Sequence, residues 1–178
     1  MPGPVFLHGD RLDLRVATED DLSFVTKWRN HPDVRRWMPR SRPETPEDTE
    51  EFYDGFVKGE DGSGVSLLAC DGDEPLGLAS MFLVDADSRR ARLGAWLKPD
   101  AQGEGYGTEA ASLLVEYAFE ERALRKLVAN ARADNDPSRG TLEKLGFTRE
   151  GRQRDHYYID GEYVDRVIYG LFADEWRE

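Results

Sequence analysis

Three glycines alternate with other residues in the segment Gln102-Gly103-Glu104-Gly105-Tyr106-Gly107-Thr108, which lies between a predicted strand and a predicted helix. Alternating glycines let the backbone turn tightly and present its N–H groups outward. The N-terminus of the following helix adds partial positive charge to the same place. Such a loop can hold an anion without a lysine, and a pyrophosphate suits it well. A tight strand-to-helix turn without a ligand is the alternative.

Two common phosphate-binding motifs fit this segment less well. A P-loop is excluded, because no Gly-Lys-Ser/Thr follows the glycines. The stretch from Gly105 to Ala110 does match the dinucleotide pattern G-x-G-x-x-A. That pattern usually belongs to a larger, doubly wound parallel sheet, whereas predicted hairpins precede it here and only about 70 residues follow.

A second motif follows the next predicted strand and runs from Asn135-Asp136-Pro137-Ser138 to Lys144-Leu145-Gly146-Phe147. Asn135 or Asp136 can cap a helix, and Gly146 can end it. Capping explains these residue types, but it does not explain why the motif follows a glycine-rich loop at this distance.

Hydrophobic periodicity and turn residues predict the elements that position these motifs. The predicted strands are 11–16, 65–70, 76–84, 90–97, 126–132, 147–158 and 162–172. The predicted helices run from Thr18 to His31, from Glu47 to Lys58, from Thr108 to Arg122 and from Pro137 to Leu145, and a turn cluster is predicted at 59–64. The order β-α-α-β-β-β-α-β-α-β-β predicts a mixed α/β (α+β) sheet, antiparallel in its first half, with a central βαβ crossover.

The charge of the chain excludes one class of partner. Its 178 residues suit a single domain, and 36 Asp+Glu against 24 Lys+Arg give a net charge of -12. DNA and RNA phosphates would be repelled, so we expect no nucleic-acid partner. The chain contains 19 arginines but only 5 lysines. Together with the acidic net charge, this composition suggests a halophilic source, in which salt screens the repulsion between like charges. An acidic protein of an ordinary cell is the alternative.

Other features point to a cytoplasmic protein. Cys70 is the only cysteine, so no internal disulfide forms, and its apolar neighbours indicate a buried strand thiol. No apolar run has the length of a membrane span, and Met1–Pro4 does not resemble the start of a signal peptide. We therefore expect no membrane partner.

Together, the two motifs resemble those of the GNAT superfamily of N-acetyltransferases, in order and in spacing. Further likeness to its RimJ/RimL type lies at 28–34, 94–97, 150–151 and 160–169, so the resemblance covers nearly the whole chain. It implies one GNAT domain over residues 1–178, with the acyl-CoA N-acyltransferase fold and two splayed strands. It also implies acetyl-CoA as the cofactor and no metal.

The resemblance implies a set of cofactor-binding residues. The glycine-rich loop would bind the coenzyme pyrophosphate through Gln102, Gly103, Gly105, Tyr106, Gly107 and Thr108. The strand edge at Trp96 and Leu97 would pair with the pantetheine, and a backbone N–H near Leu97 would polarise the thioester carbonyl. Asn135 would bind the pantetheine, and Ser138 would lie near the sulfur.

The resemblance points to Ser138 and Tyr157 as the catalytic residues, and His156 and Asp155 are the nearest titratable alternatives, with His156 ranked third. Some RimL-like members place a glutamate where this chain has Tyr157. A tyrosine is a poor general base but a reasonable acid toward the leaving thiolate. Strand alternation would put Asp155 and Tyr157 on one face, with His156 and Tyr158 on the other.

The acceptor site is expected along the first helix and the loop 35–46, where Trp37 and Met38 could form an apolar wall. Arg35, Arg36, Arg40 and Arg42 form a basic run there, which could meet an anionic group or be solvated. The resemblance implies acetyl transfer to a primary amine in a monomer or homodimer, and a protein N-terminus, such as that of a ribosomal protein, is favoured. A small-molecule amine and a non-catalytic acyl-CoA-binding module are the alternatives.

Overall fold

The computed structural model describes residues 2–38, 42–57, 64–85 and 87–176. Its strands are β1 Val5–His8, β2 Asp13–Val16, β3 Val65–Asp71, β4 Glu74–Asp85, β5 Arg90–Leu97, β6 Lys126–Arg132, β7 Thr148–Ile159 and β8 Glu162–Phe172. Its α-helices are α1 Leu22–Asn30, α2 Pro32–Arg35, α3 Pro46–Phe52, α4 Tyr106–Glu116, α5 Asp136–Lys144 and α6 Ala173–Trp176. Turns of π-helix extend α3 over Tyr53–Val57 and α4 over Tyr117–Glu121.

The eight strands form one mixed sheet in the order β1-β2-β3-β4-β5-β6-β8-β7. All neighbouring pairs are antiparallel except β5 and β6, which are parallel. A parallel pair needs a long crossover, and α4 with its π turn supplies it. The predicted mixed sheet, with an antiparallel first half and a central βαβ unit, is confirmed.

The two faces of the sheet carry separate hydrophobic clusters. One face is covered by α4 and α5, where Leu114, Val115 and Leu142 pack against β6 and β8 residues such as Tyr169. The other face is covered by α1 and α3, and its buried cluster contains Val25. Because strand residues alternate between faces, the register assigns each strand side chain to one cluster or the other.

Sequence periodicity located the long strands more reliably than the short elements. The predicted bounds of β5, β6 and β8 agree with the structure residue for residue. The four-residue elements β1, α2 and α6 were not predicted. The dipeptide His31-Pro32 does end α1, but its proline also begins α2, since proline suits the first turn of a helix.

Several predicted boundaries move by a few residues. The first helix begins with a 3-10 turn, Glu19–Asp21, and the buried Asp21 carboxylate accepts the N–H and the hydroxyl of Thr18 at 2.8 and 2.9 Å. The predicted helices 47–58 and 108–122 each end as a π turn. Lys58, the turn 59–63 and Arg40 of the predicted basic run lie outside the described residues.

Candidate active site

The glycine-rich loop forms a group of unpaired backbone donors at the N-terminus of α4. Gly103 and Gly105 adopt φ of +84° and +88°, a conformation that favours glycine, and Gly105 caps the helix. In the part of the chain that the structure describes, the N–H groups of residues 103–107 donate to no protein acceptor. Such N–H groups, together with the positive end of the helix dipole, suit a diphosphate. Thr108 differs from the expectation, because its N–H donates to the Gly105 carbonyl at 3.1 Å.

An ion pair that sequence reasoning missed ties this loop to the β1–β2 turn. The Glu109 carboxylate in the first turn of α4 accepts the backbone N–H of Arg11 at 2.8 Å, its Nε–H at 3.0 Å, and the N–H of Leu12 at 3.3 Å. Nη1 of Arg11 donates to the Glu104 carbonyl at 2.8 Å. The two partners are 98 residues apart in sequence, so no local pattern could have paired them.

Electrostatics around the loop follow from these contacts. Burial raises the pKa of Glu109, but the donated hydrogen bonds from Arg11 and Leu12 outweigh it, so the pKa lies below its usual value. Tyr106 donates its hydroxyl to the Asp71 carboxylate at 3.2 Å, which raises the pKa of the tyrosine. The Gln102 side chain donates to the Leu97 carbonyl at 2.9 Å and thereby joins the loop to the end of β5.

Beside the loop, β5 and β6 separate and leave a slot in the sheet. They pair from Arg90 with Lys126 to Leu93 with Ala129, and no further. Beyond that point, residues 94–97 pair with β4 on one edge, and their other edge has no strand partner. The expected splay is therefore present at the predicted place, and the edge containing Leu97 can accept an extended polar chain such as a pantetheine.

The second motif stands at the far wall of the slot, immediately after β6. The Asn135 side-chain oxygen accepts the Ser138 N–H at 3.2 Å, so Asn135 does cap α5. Its amide nitrogen and the partly buried Ser138 hydroxyl have no polar partner among the described residues. Arg139 fixes α5 in place by donating to the Ala133 carbonyl at 3.0 Å and to the Tyr169 hydroxyl at 3.3 Å.

Register places Tyr157 on the sheet face away from α4. Tyr157 pairs with Val164, and Arg166 pairs with Arg132, so these side chains share a face with one another. That face is opposite to the buried Tyr169, whose hydroxyl contacts α5. The slot thus joins the face with the phosphate-binding loop to the face with Tyr157.

Trp37 lies on the same face as Tyr157 and is held there by Arg132. The Arg132 guanidinium lies 4.9 Å from the centre of the Trp37 ring. It also donates to the Arg36 carbonyl and to both oxygens of Asp134, and these bonds lower the pKa of Asp134. Met38 is likewise partly buried. The structure therefore brings the predicted acceptor wall to the C-terminal end of β6.

His156 and Tyr157 follow an irregularity in β7. Two more residues separate Gln153 from Tyr157 than separate their partners on β8, and Asp155 has φ of +49°. Tyr157 and Tyr158 alternate between faces as expected, since they pair with Val164 and Tyr163, but a bulge interrupts the ladder at the residues before them, which include Asp155 and His156. The His156 ring contacts the Tyr157 ring edge-on at 4.8 Å, and its Nε2 lies 3.0 Å from Arg166 Nη1.

Trp96 has a packing role that the sequence did not indicate. Its ring stacks on Phe24 of α1 at 6.0 Å between centroids, which leaves only its backbone for the slot. Cys70 is fully buried, and burial raises the pKa of its thiol to about 12, as expected for a structural residue. Within the described ranges, no three His, Cys, Asp or Glu side chains group as a metal site would require. No helix in those ranges has the length and apolar character needed to cross a bilayer.

Comparison with known proteins assigns residues 11–148 to the family described as the acetyltransferase (GNAT) domain. YdaF of Bacillus subtilis, which is provisionally named a ribosomal N-acetyltransferase, is 37% identical over 101 residues. That alignment covers 57% of this chain and 55% of the relative, so the match spans about half of YdaF. The spermidine N(1)-acetyltransferase of Escherichia coli is 27% identical over 92% of this chain and 87% of its own length.

A solved structure shows the same fold over nearly its full length. The spermidine N-acetyltransferase of Vibrio cholerae, determined with CoA and spermine, superposes with a TM-score of 0.87. The alignment has 21% identity and covers 94% of this chain and 99% of that one.

Proposed function

The chain belongs to the GNAT acetyltransferase family and is an acetyl-CoA-dependent N-acetyltransferase; we propose that its acceptor is the α-amine of a protein or peptide N-terminus, such as that of a ribosomal protein. This proposal rests on the positive charge of the acceptor face. Arg132 and Arg166 stand there as a cross-strand pair, and only Asp134 neutralises either of them among the described residues. A polyamine would carry its several positive charges toward this pair, whereas a peptide N-terminus would bring only one.

The unpaired groups of the slot fit the coenzyme. The free N–H groups of residues 103–107 would hold its diphosphate, and the open edge of β5 together with the Asn135 amide would hold the pantetheine. When bound, acetyl-CoA supplies the thioester whose acetyl group is transferred. A backbone N–H near Leu97 would then polarise the carbonyl, and the hydroxyl of Ser138 or Tyr157 would donate a proton to the leaving sulfur.

The chemistry of an α-amine also suits a site without a strong base. Nucleophilic attack requires the neutral amine, and about a tenth of an α-amine with a pKa near 8 is neutral at pH 7. A lysine side chain, with a pKa of about 10.4, is neutral in fewer than about one molecule in a thousand. The resemblance puts Tyr157 where some RimL-like members have a glutamate, and a tyrosine is a poor general base, so an acceptor that needs little deprotonation is favoured.

A polyamine acceptor is the second candidate, because the Escherichia coli relative is named for spermidine. One experiment separates the two. Thiol release from acetyl-CoA would be followed with N-terminal peptides that contain no lysine and with spermidine, each over a range of concentrations and in both low and molar KCl. We expect the higher kcat/KM for the peptides; a higher value for spermidine would refute the proposed acceptor. Release with neither would refute both acceptors and leave another small amine as the substrate.

A further inference from the structure

Arg166 carries a positive charge that no described carboxylate neutralises. Its side chain is partly buried on the sheet face that carries Tyr157, on β8 beside the edge strand β7. Nη1 lies 3.0 Å from His156 Nε2, which accepts its N–H in the tautomer that carries the ring proton on Nδ1. Nε is buried and has no hydrogen-bond partner within the described part of the chain. A buried donor left unpaired is costly, and a partly buried cation without a counterion is more so.

The cross-strand neighbour of Arg166 does not relieve this charge. Arg132 stands directly opposite on β6, and like charges in that position destabilise a sheet. Both Nε and Nη2 of Arg132 donate to Asp134, and Nη1 donates to the Arg36 carbonyl. Each of the three guanidinium nitrogens of Arg132 therefore donates to one of two groups, the neutral Arg36 carbonyl or the anionic Asp134 carboxylate. The pair keeps one unbalanced positive charge, and it belongs to Arg166.

The position of this charge relates it to the acceptor. Arg166 is two residues from Val164, the partner of Tyr157, so both side chains project from the same face. Across β6, the Arg132 side chain holds Trp37. Adjacent strands lie about 4.8 Å apart, so Arg166 stands between the Trp37 wall and Tyr157, within an arginine's reach of a molecule bound there.

We propose that Arg166 recognises a carboxylate carried by the acceptor, so that the preferred substrate is an α-amine with an acidic group close to it. This inference rests on the proposed function, because it requires that the acceptor amine approach along this face. An N-terminal peptide with aspartate or glutamate at its second position carries such a group, and so does a free amino acid. A planar guanidinium binds a carboxylate through its N–H groups, and Nη2 of Arg166, which is not buried and has no polar partner among the described residues, would face the acceptor.

The test compares matched acceptors with the wild-type protein and with variants. Kinetics of thiol release would be measured with lysine-free peptides beginning Ser-Asp and Ser-Asn, and with free serine against serinamide. A hydrogen-bonded charge pair gives a preference of about 10- to 100-fold in kcat/KM, so we expect the acidic member to be preferred in at least one pair. A preference for the Ser-Asp peptide over the Ser-Asn peptide would mean that Arg166 recognises the side chain of the second residue. A preference for serine over serinamide would mean that it recognises the α-carboxylate of a free amino acid.

Arg166→Gln should abolish that preference, so that kcat/KM for the Ser-Asp peptide falls to within about threefold of kcat/KM for the Ser-Asn peptide measured with the same variant. Arg166→Lys should keep part of it. The control is Arg149→Gln, which removes the same charge from the same hairpin at an exposed position beside Tyr169, on the other face. Melting curves show whether each variant folds.

The outcomes separate this inference from the function on which it rests. Turnover of all acceptors by the wild type without preference for the acidic ones overturns the role of Arg166 but leaves the acetyltransferase intact, and this measurement needs no variant. A preference that persists in folded Arg166→Gln, or that is lost equally in Arg149→Gln, also overturns it. Absence of turnover with every amine overturns both proposals.

Discussion

Replacing Glu109 by alanine is expected to destabilise the protein and to weaken its binding of coenzyme. The carboxylate joins the β1–β2 turn to the first turn of α4, because it accepts hydrogen bonds from Arg11 and Leu12. Without it, the Arg11 side chain loses its anchor and no longer holds the Glu104 carbonyl in the glycine-rich loop. The free N–H groups of residues 103–107 would then be less well ordered for a diphosphate.

The magnitude follows from the three hydrogen bonds. The Arg11 side chain is 51% exposed, so its ion pair contributes only about 0–1 kcal/mol. The backbone N–H groups of Arg11 and Leu12 donate to a carboxylate that is 16% exposed, and losing such an acceptor costs about 1–3 kcal/mol. We expect Glu109→Ala to lower the free energy of unfolding by about 1–4 kcal/mol, and Glu109→Gln, which retains an oxygen acceptor, by about 1 kcal/mol.

The pH dependence provides a second measure of the same carboxylate. The pKa of Glu109 is lowered in the folded protein, so its stabilising contribution is complete above the pKa of the unfolded chain, about 4.3. The contribution is lost as the pH falls through the lower, folded value. The difference in stability between wild type and Glu109→Gln should therefore be constant near neutral pH and shrink below about pH 4.

Urea denaturation gives the free energies of unfolding, and calorimetric titration with CoA gives the dissociation constant. We expect Glu109→Ala to raise that constant about three- to tenfold, a change of about 1 kcal/mol. Glu116→Ala is the control, since Glu116 is exposed on the same helix. If Glu109→Ala changes the unfolding free energy no more than this control and binds CoA with wild-type affinity, the anchoring role is refuted.

Three further predictions concern the slot and the charge of the chain. Tyr157→Phe and Ser138→Ala should each lower kcat for thiol release by about tenfold or more, with the dissociation constant for CoA changed less than about threefold; wild-type rates in both would exclude these hydroxyls as the acid. Gly105→Ala should weaken CoA binding about tenfold, because φ is +88° and the new methyl group would lie 3.0 Å from Arg11 Nη2; unchanged affinity in calorimetry would contradict this account of the loop. Raising KCl from 0.1 to 2 M should raise Tm, since the Debye length falls from about 10 Å to 3 Å or less and screens the net charge of -12. A Tm that does not rise would count against salt adaptation.

Hydrophobic periodicity located the elements in which apolar residues recur over several helical turns or strand pleats. The strands Arg90–Leu97 and Lys126–Arg132 alternate or run apolar for seven or eight residues, so both bounds were predictable. Val5–His8 spans only four residues, too few for alternation to be distinguished from chance. The helix cap at Asn135 was predictable because capping residues act locally, whereas the roles of Asn135 and Ser138 toward the coenzyme were implied only by the resemblance to a family motif.

The unpredicted features of the site depend on register or on contacts between distant residues. A bulge before Tyr157 cannot be inferred from alternation, because it is the place where alternation stops. The pairing of Arg132 with Arg166 is set by strand order, and the pairing of Arg11 with Glu109 by how α4 packs. Trp96 was expected near the cofactor, but only tertiary packing shows that its ring belongs to the α1 side.

The short ladder between β5 and β6 also bears on how long the folded chain survives. Two antiparallel halves, β1–β5 and β6–β8, meet within the sheet over four residue pairs only, beside the slot. A coenzyme arm bound in that slot would contact both halves and would stabilise the junction between them. At a concentration one hundred times its dissociation constant, such a ligand adds about 2.7 kcal/mol to the free energy of unfolding. Degradation by proteases follows the fraction of unfolded chains, so the coenzyme supply of a cell would regulate the abundance of this protein as well as its turnover.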